Sequence, residues 1–450
     1  MTDERSELLT QKPIKLMFKL CTPAIIGMVV IGLYSFMDGV YAGQMLGSKE
    51  MGAISIAYPI TFINNGIATL IGIGSASLLS RAIGKKDYKT IDKIMGNLIA
   101  TVLLLSSIVM VFGIIFAKQL LQLSGAEGDI LEFGIRYLRI IFLGSIFVNF
   151  AQSANMVMRG EGIMKKAMLI MGFGAILNII LDPIFILLFK EKGLEGLAMA
   201  TLTSQIIQAI ITLKYFLTKS KFIKIKKIKI EKSLLKDIFS VGISAMMMQI
   251  LSMVQQMLLY RMAFKYGDQT QGILMAASLR IQAFSFIPLW GMSQGLQPAI
   301  GTNYGVKMYD RVKKINNTFV LGATVLAMIF WLPIELFSKQ VLSLFITNES
   351  IVNTGISNFR IFYSIFILYG LMIMMITFFQ SIGNAKSAGI LVFSRQLIFF
   401  VPAIIIMPKI FGISAVWFTQ PLFDGIVILL GTLLLLKEYK KMSKLTLVNA

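Results

Sequence analysis

Residues 165–190 read KKAMLIMGFGAILNIILDPIFILLFK: two lysines, a long apolar run with one acid in it, and a closing lysine. The run between the lysines is long enough to cross a bilayer as a helix, which takes about 20 residues. Asp182 stands well inside it. An aspartate at mid-bilayer costs about 2.5–3.5 kcal/mol on insertion scales, so a chain that keeps one must neutralise it, pair it or use it. Asn178 lies four residues earlier, so on a helix the amide and the carboxyl share a face. Pro183 has no N–H, which frees the carbonyl of Ile179 from its helical donor and lets it face a ligand. Three polar groups at one level of a membrane helix read as a cation or proton site.

The whole chain has the same character. It is 450 residues long, 56% apolar and only 14% charged, with a mean hydropathy of +0.78. Soluble domains carry nearer a quarter charged residues, so the class is a polytopic all-α membrane protein. The N-terminal stretch MTDERSELLTQKPIK has no small-residue cleavage site, and the first hydrophobic segment is expected to stay in the mature protein. A net charge of +21 does not indicate a nucleic-acid partner. The lysines and arginines fall between apolar segments, and aromatic residues do not interleave with them. The single cysteine, Cys21, excludes an intramolecular disulfide and a two-cysteine metal site. The absence of histidine closes Ser–His, Zn–His and imidazole-based chemistry. Neither GxGxxG nor GxxxxGK[ST] occurs, so no ATP machinery and no cofactor is expected.

Twelve helical spans are predicted near 14–43, 51–82, 92–121, 130–158, 164–190, 194–217, 235–263, 270–302, 312–340, 350–381, 386–408 and 411–437. Lys and Arg crowd into alternate loops. The rich set holds the N-terminus, Lys85–Lys93, Arg159–Lys166, Lys219–Lys236, Lys307–Lys314, Lys386 and Lys437–Lys444. Positive-inside bias then puts both termini in the cytoplasm, which an even span count allows. The stretch KSKFIKIKKIKIEK, Lys219 to Lys232, reads as a connecting loop between two six-helix halves or as an interfacial segment on anionic lipid. The expected division is 1–218, a basic linker 219–234, and 235–450.

The halves repeat at an offset of 221 residues. Gly74 aligns with Gly295, Gly84 with Gly305, Tyr88 with Tyr309, Phe116 with Phe337, Arg139–Ile140 with Arg360–Ile361, and Gly162 with Gly383. Six spans separate equivalents, so the repeats run parallel and a pseudo-twofold along the membrane normal relates the two bundles. A central cavity between them suits alternating access. The acids do not repeat: Asp38 aligns with Leu259, Asn178 with Phe399 and Asp182 with Ala403.

Asp38 lies in SFMDGVYAG, where the apolar run continues to Lys49. Asp38 and Asp182 both fall in the outer halves of their spans and meet if the first and fifth helices pack. Two carboxyls in one apolar pocket do not both ionise cheaply, so a proton or a monovalent cation is expected between them. Oxygen-only ligands suit Na⁺ or H⁺, not a transition metal. Gln152, Met156, Gln255, Gln256 and Arg280 are candidates for a substrate cavity. Interhelical hydrogen bonding would also explain the glutamines, and snorkelling would explain the arginine. Asp424 and Glu335 have no partner visible in sequence. The 29 methionines fill membrane helices, and could also line a pocket that adapts to differently shaped ligands.

Pro23, DGVYAG from Asp38, the run from Met158-Arg159-Gly160 through NIILDPIFI, GLAMATLTSQ from Gly196 and GLQPAIGTNYG from Gly295 together resemble the multidrug and toxin extrusion (MATE) family. The similarity covers nearly the whole length and is strongest to its bacterial DinF/MepA-like branch. The resemblance implies a cation site of Asp38, Asp182, Asn178 and Thr201, with Asn155 a weaker match, and a helix-1 bend at Pro23. It also implies an antiporter of the bacterial cytoplasmic membrane that exports amphipathic or cationic drugs for H⁺ or Na⁺ as a monomer. A second family branch carries acids in its seventh and tenth helices. Here Gln255 and Gln256 stand in the seventh, and the tenth span has none. The rival within transport is a lipid-linked oligosaccharide flippase, whose cavity would need several arginines.

Overall fold

A chain in hydrocarbon must satisfy every backbone N–H and C=O inside the span itself, so each apolar run becomes a helix. The computed structural model describes residues 3–46, 48–124, 126–220, 223–346 and 348–449, and among these there is no strand. The membrane helices in order are α1 Pro13–Tyr41, α2 Ser48–Lys85, α3 Tyr88–Ile115 and α4, a pair Gly128–Leu143 and Ser145–Gly160. They continue as α5 Met164–Phe189, α6 Gly193–Lys214, α7 Lys232–Tyr266, α8 Gln269–Gly305 and α9 Tyr309–Leu336. The last are α10, Glu349–Tyr363 running on to Tyr369–Ser381, α11, Ala385–Phe393 continuing to Val401–Phe411, and α12 Ile413–Asn449. Among the described residues eleven helices are long and apolar enough to span, and the α4 pair, bent by 51°, makes twelve if it is one span. The span predicted over 130–158 breaks at Gly144, where a Cβ would press on Oε1 of Gln205. Outward-facing Leu187, Leu188, Leu429 and Leu433 are each about two-thirds exposed, a surface that only lipid satisfies.

The 221-residue repeat is visible in the backbone. Lys86 and Lys307 share the left-handed conformation (φ 57° and 63°), as do Gly162 and Gly383 (φ 91° and 77°). Phe116 and Phe337 both end a long helix and begin a short one. After Lys86, Asp87 caps α3, accepting from the Thr90 N–H (3.2 Å) and hydroxyl (2.7 Å). These bonds hold its carboxyl below the usual carboxylate range. The cap therefore contributes at neutral pH and is lost as pH falls through that depressed value.

Two compact units form, residues 26–246 and residues 6–25 with 247–450. The division falls within α1 and α7, whereas the sequence reading put it in the basic linker. Packing is the cause. The first half of α1 lies against α8, where a Cβ on Gly295 would meet Cys21 Sγ at 2.8 Å. The first half of α7 lies against α2, where a Cβ on Gly242 would overlap the Leu70 carbonyl.

Residues 223–231 of the linker have no regular secondary structure. Ile223 is buried and Ile225 half-buried, whereas Lys224 and Lys226 are exposed. Ile223 is fully buried in the core with Ile94, Leu98 and Ile238, and Ile225 packs against it. Lys226 pairs with Asp92 (2.5 Å), and the Glu231 N–H donates to Asn97 Oδ1 (2.8 Å). A Cβ on Gly96 would overlap the Lys227 carbonyl. Gly96→Ala is therefore expected to lift the linker off α3. Limited trypsin digestion of the purified protein should then cut at Lys224–Lys229 several times faster than in wild type; an unchanged rate would mean that the linker is held some other way.

Candidate functional site

The first polar constellation is built on the α5–α6 hairpin. The two helices approach closely because glycines face backbone and side chain: a Cβ on Gly196 would lie 2.5 Å from the Phe185 carbonyl oxygen, and one on Gly174 would lie 2.9 Å from Gln208. In an antiparallel pair, that register sets Thr201 level with residues 180–181, between Asn178 and Asp182. Asp182 is fully buried, and Asn178 and Thr201 are nearly so. Asn178 Nδ2 donates to Asp182 Oδ1 at 2.7 Å, as the i, i+4 spacing predicts. Asn178 Oδ1 has no hydrogen-bond partner among the described residues. Thr201 donates its hydroxyl to the Leu197 carbonyl (3.2 Å), which leaves its lone pairs free to accept. A cavity of about 110 Å³ opens here, lined by Asn178, Thr201, Gln152, Ser204, Gln205 and Gln208. The cluster offers oxygen acceptors around a desolvated carboxyl, a donor set for a hard monovalent cation or a proton.

The other expected residues divide. Gln152 joins the cavity wall. Met156 packs over Gly72 of α2. Asn155 is buried, but its amide donates to the Ala167 carbonyl (2.7 Å). Ala167 is at the start of α5, about 16 Å along the helix from Asn178. The structure therefore does not bring Asn155 to the level of Asp182. The helix position of Asp38 falls within α1, while its side chain lies outside the described residues. Pro23 is inside α1, two residues before the point where that helix passes from one unit to the other. Ser204, Gln205 and Gln208 were not singled out in the sequence. They follow Thr201 at i+3, i+4 and i+7, the spacing of one helical face.

The second constellation lies in the C-terminal half. Asp424 of α12 receives Arg395 Nε at 2.8 Å and Nη2 at 3.1 Å. The Tyr369 hydroxyl donates to the same carboxylate at 2.6 Å. Gln420 donates to the Tyr369 oxygen (3.0 Å) and to Gln282 Oε1 (3.4 Å). Arg395 and Gln396 sit in a π-helical turn, Ser394–Phe400, that interrupts α11. Pro402 lies just beyond, and its missing N–H makes a regular α-turn incomplete there. Gln396 donates to Ser252 (2.8 Å) and Gln255 (3.4 Å). Gln255 is thus buried in a polar network, whereas Gln256 and Arg280 are exposed. Asp424, without a visible partner in sequence, has a bidentate one. Arg395 is not among the residues expected at a site, although an arginine inside an apolar span is itself a signal. At the 221-residue offset Arg395 aligns with Gly174 and Asp424 with Thr203, so neither constellation has a copy in the other half.

A twelve-span helical fold with an internal 221-residue repeat is an architecture of membrane transporters. The MatE family model matches residues 23–184 and 244–405, two stretches in the register of the repeat. The chain belongs to the MATE family, a multi-pass membrane transporter and not an enzyme. It is 26% identical to the multidrug export protein MepA of Staphylococcus aureus (strain MRSA252) over 422 residues, 92% of each chain. To MepA of Staphylococcus saprophyticus it is 27% identical over 407 residues, 89% of this chain and 88% of that one. Among solved structures, a MATE in its bent conformation superposes with a TM-score of 0.92 at 26% identity, covering 99% of both chains.

Proposed function

We propose that this protein is an antiporter of the bacterial cytoplasmic membrane. It exports amphipathic, often cationic compounds while H⁺ or Na⁺ enters, with both termini in the cytoplasm. The observation that carries the reading is the fully buried Asp182, bonded to Asn178 beside a polar cavity. A carboxyl held there changes charge state only by taking up a cation, so occupancy becomes the switch. Asp38, on α1, whose Gly27 packs against Met168 of α5, is the expected second carboxyl. The export direction and the substrate class are supported by the relatives named multidrug export proteins.

Coupling requires that ion and drug bias the same two-state equilibrium. The element proposed to move is α1, bending at Pro23 when the pocket is neutralised. Moving one charge inward contributes about 2.3 kcal/mol per 100 mV, enough for about a fiftyfold drug gradient. The test is internal pH and sodium recorded in proteoliposomes on drug addition. Proton movement indifferent to sodium assigns H⁺, and sodium-dependent drug exchange assigns Na⁺. Drug flux with no cation movement would overturn the antiport reading.

A further inference from the structure

Outside both constellations, a cavity of about 730 Å³ lies between the start of α11 and the end of α12. Its size is in the range of about 300–1,000 Å³ found for small-molecule sites. Five amines converge on it: Lys386 from the first turn of α11, and Lys437, Lys440, Lys441 and Lys444 from the last turns of α12. One acid shares the wall. Glu438 accepts from Asn384 Nδ2 (3.4 Å) and stands 3.8 Å from Lys441, so it is already engaged. Lys386, Lys437, Lys440 and Lys444 have no carboxylate within ion-pair distance among the described residues. Four like charges gathered in a concave site repel one another unless an anion joins them.

The surroundings select the kind of anion. Asn384 Oδ1 caps α11 by accepting the Ser387 N–H (3.1 Å), and the positive end of that helix dipole points at the same space. Ser387 lines the site and adds a hydroxyl. Ile390 and Leu434 form its apolar wall, while Leu433 and Leu436 on α12 are 66% and 51% exposed just before Lys437. The site therefore sits where the hydrocarbon-facing surface ends. A soluble phosphate would use the amines alone; a phospholipid uses the amines and the apolar wall together.

We propose that this pocket binds the headgroup phosphate of an anionic phospholipid, with its acyl chains running along Leu434 and Ile390. Clusters of lysine at the end of a membrane helix attract such lipids, each neutralised lysine weakening binding about fivefold. The charge is here gathered into one pocket, which makes the site discrete.

The test uses the full-length protein in detergent with cardiolipin, phosphatidylglycerol, phosphatidylcholine or inorganic pyrophosphate added singly. Retained lipid is read by native mass spectrometry and protection by the shift in melting temperature. Wild type should keep cardiolipin and phosphatidylglycerol and be protected by them, and phosphatidylcholine should do neither. A variant with Lys437, Lys440, Lys441 and Lys444 changed to Gln should lose both effects. Ser387→Asp, which leaves every lysine in place, should weaken retention at least fivefold and serves if the quadruple variant does not accumulate. A control with Lys85, Lys86, Lys89 and Lys165 changed to Gln should behave as wild type. Equal loss in the control reduces the effect to diffuse surface charge and overturns the proposal. So does pyrophosphate protecting as well as lipid, which would reassign the pocket to a soluble phosphate compound.

Discussion

Asp182→Asn should abolish concentrative drug export while leaving the protein folded. The substitution keeps the shape of the side chain, and its amide oxygen can still accept the Asn178 N–H that now lies 2.7 Å from Asp182 Oδ1. On the proposed coupling role, only the charge that takes up the cation disappears. Removing a buried acid from a fully enclosed position does not weaken packing, so the melting temperature should be unchanged or higher. Transport should suffer in a particular way. Without a site that loads and unloads a cation, the membrane potential no longer biases the cycle, and the gradient of about fiftyfold available per 100 mV is forfeited. Ethidium efflux from energised cells should therefore fall to the level of cells without the transporter. Downhill exchange in de-energised vesicles should persist. Undiminished uphill efflux would show that Asp182 is a structural acid and that coupling lies elsewhere.

The second large effect is one of stability. Arg395 and Asp424 form a bidentate pair whose side chains are 10% and 2% exposed. Removing one partner strands the other charge in the interior, which costs about 3–5 kcal/mol. Asp424→Ala should therefore sharply lower the unfolding midpoint in detergent, and Arg395→Ala should do the same. Replacing both with apolar residues of similar size, Arg395→Met with Asp424→Leu, should recover most of the loss, because no unmatched charge remains. Tyr369 still limits the recovery: its hydroxyl loses the carboxylate it donates to at 2.6 Å and keeps only the Gln420 bond. If the double variant is as unstable as either single one, the pair contributes through the wider glutamine network and not through charge balance. If it is stable and still exports drug, the pair is a structural brace of the C-terminal half.

These two sites also differ in how far they could be read from the chain. Asn178 and Asp182 sit four apart on one helix, so their bond follows from local geometry alone. Arg395 and Asp424 are on different helices, and nothing in the spacing of α11 and α12 says which turns will face each other. The π-helical turn at Ser394–Phe400 shifts the register of α11 by a fraction of a turn, a displacement that periodicity cannot show. Asn155 illustrates the converse. It is close to the fifth helix in sequence and polar in an apolar span, yet its contact is with Ala167 near the start of that helix. The glycines act in the same way: composition records them, but only packing shows that Gly242 of α7 lies against Leu70 of α2 and Gly295 of α8 against Cys21 of α1.

By itself, the sequence determined that this is a twelve-span membrane protein, doubled at an offset of 221 residues, with an acid and an amide on one face of the fifth helix. Those features depend on hydrophobic length, charge distribution and i, i+4 spacing, all of which are local or statistical. The tertiary structure alone decided that Gln205 and Gln208 join Asn178 around a cavity, that the linker packs along α3, and that Arg395 neutralises Asp424. Each of those depends on how neighbouring helices are rotated and shifted against each other. In a membrane that is settled by close packing over glycine and by the need to satisfy polar groups away from water.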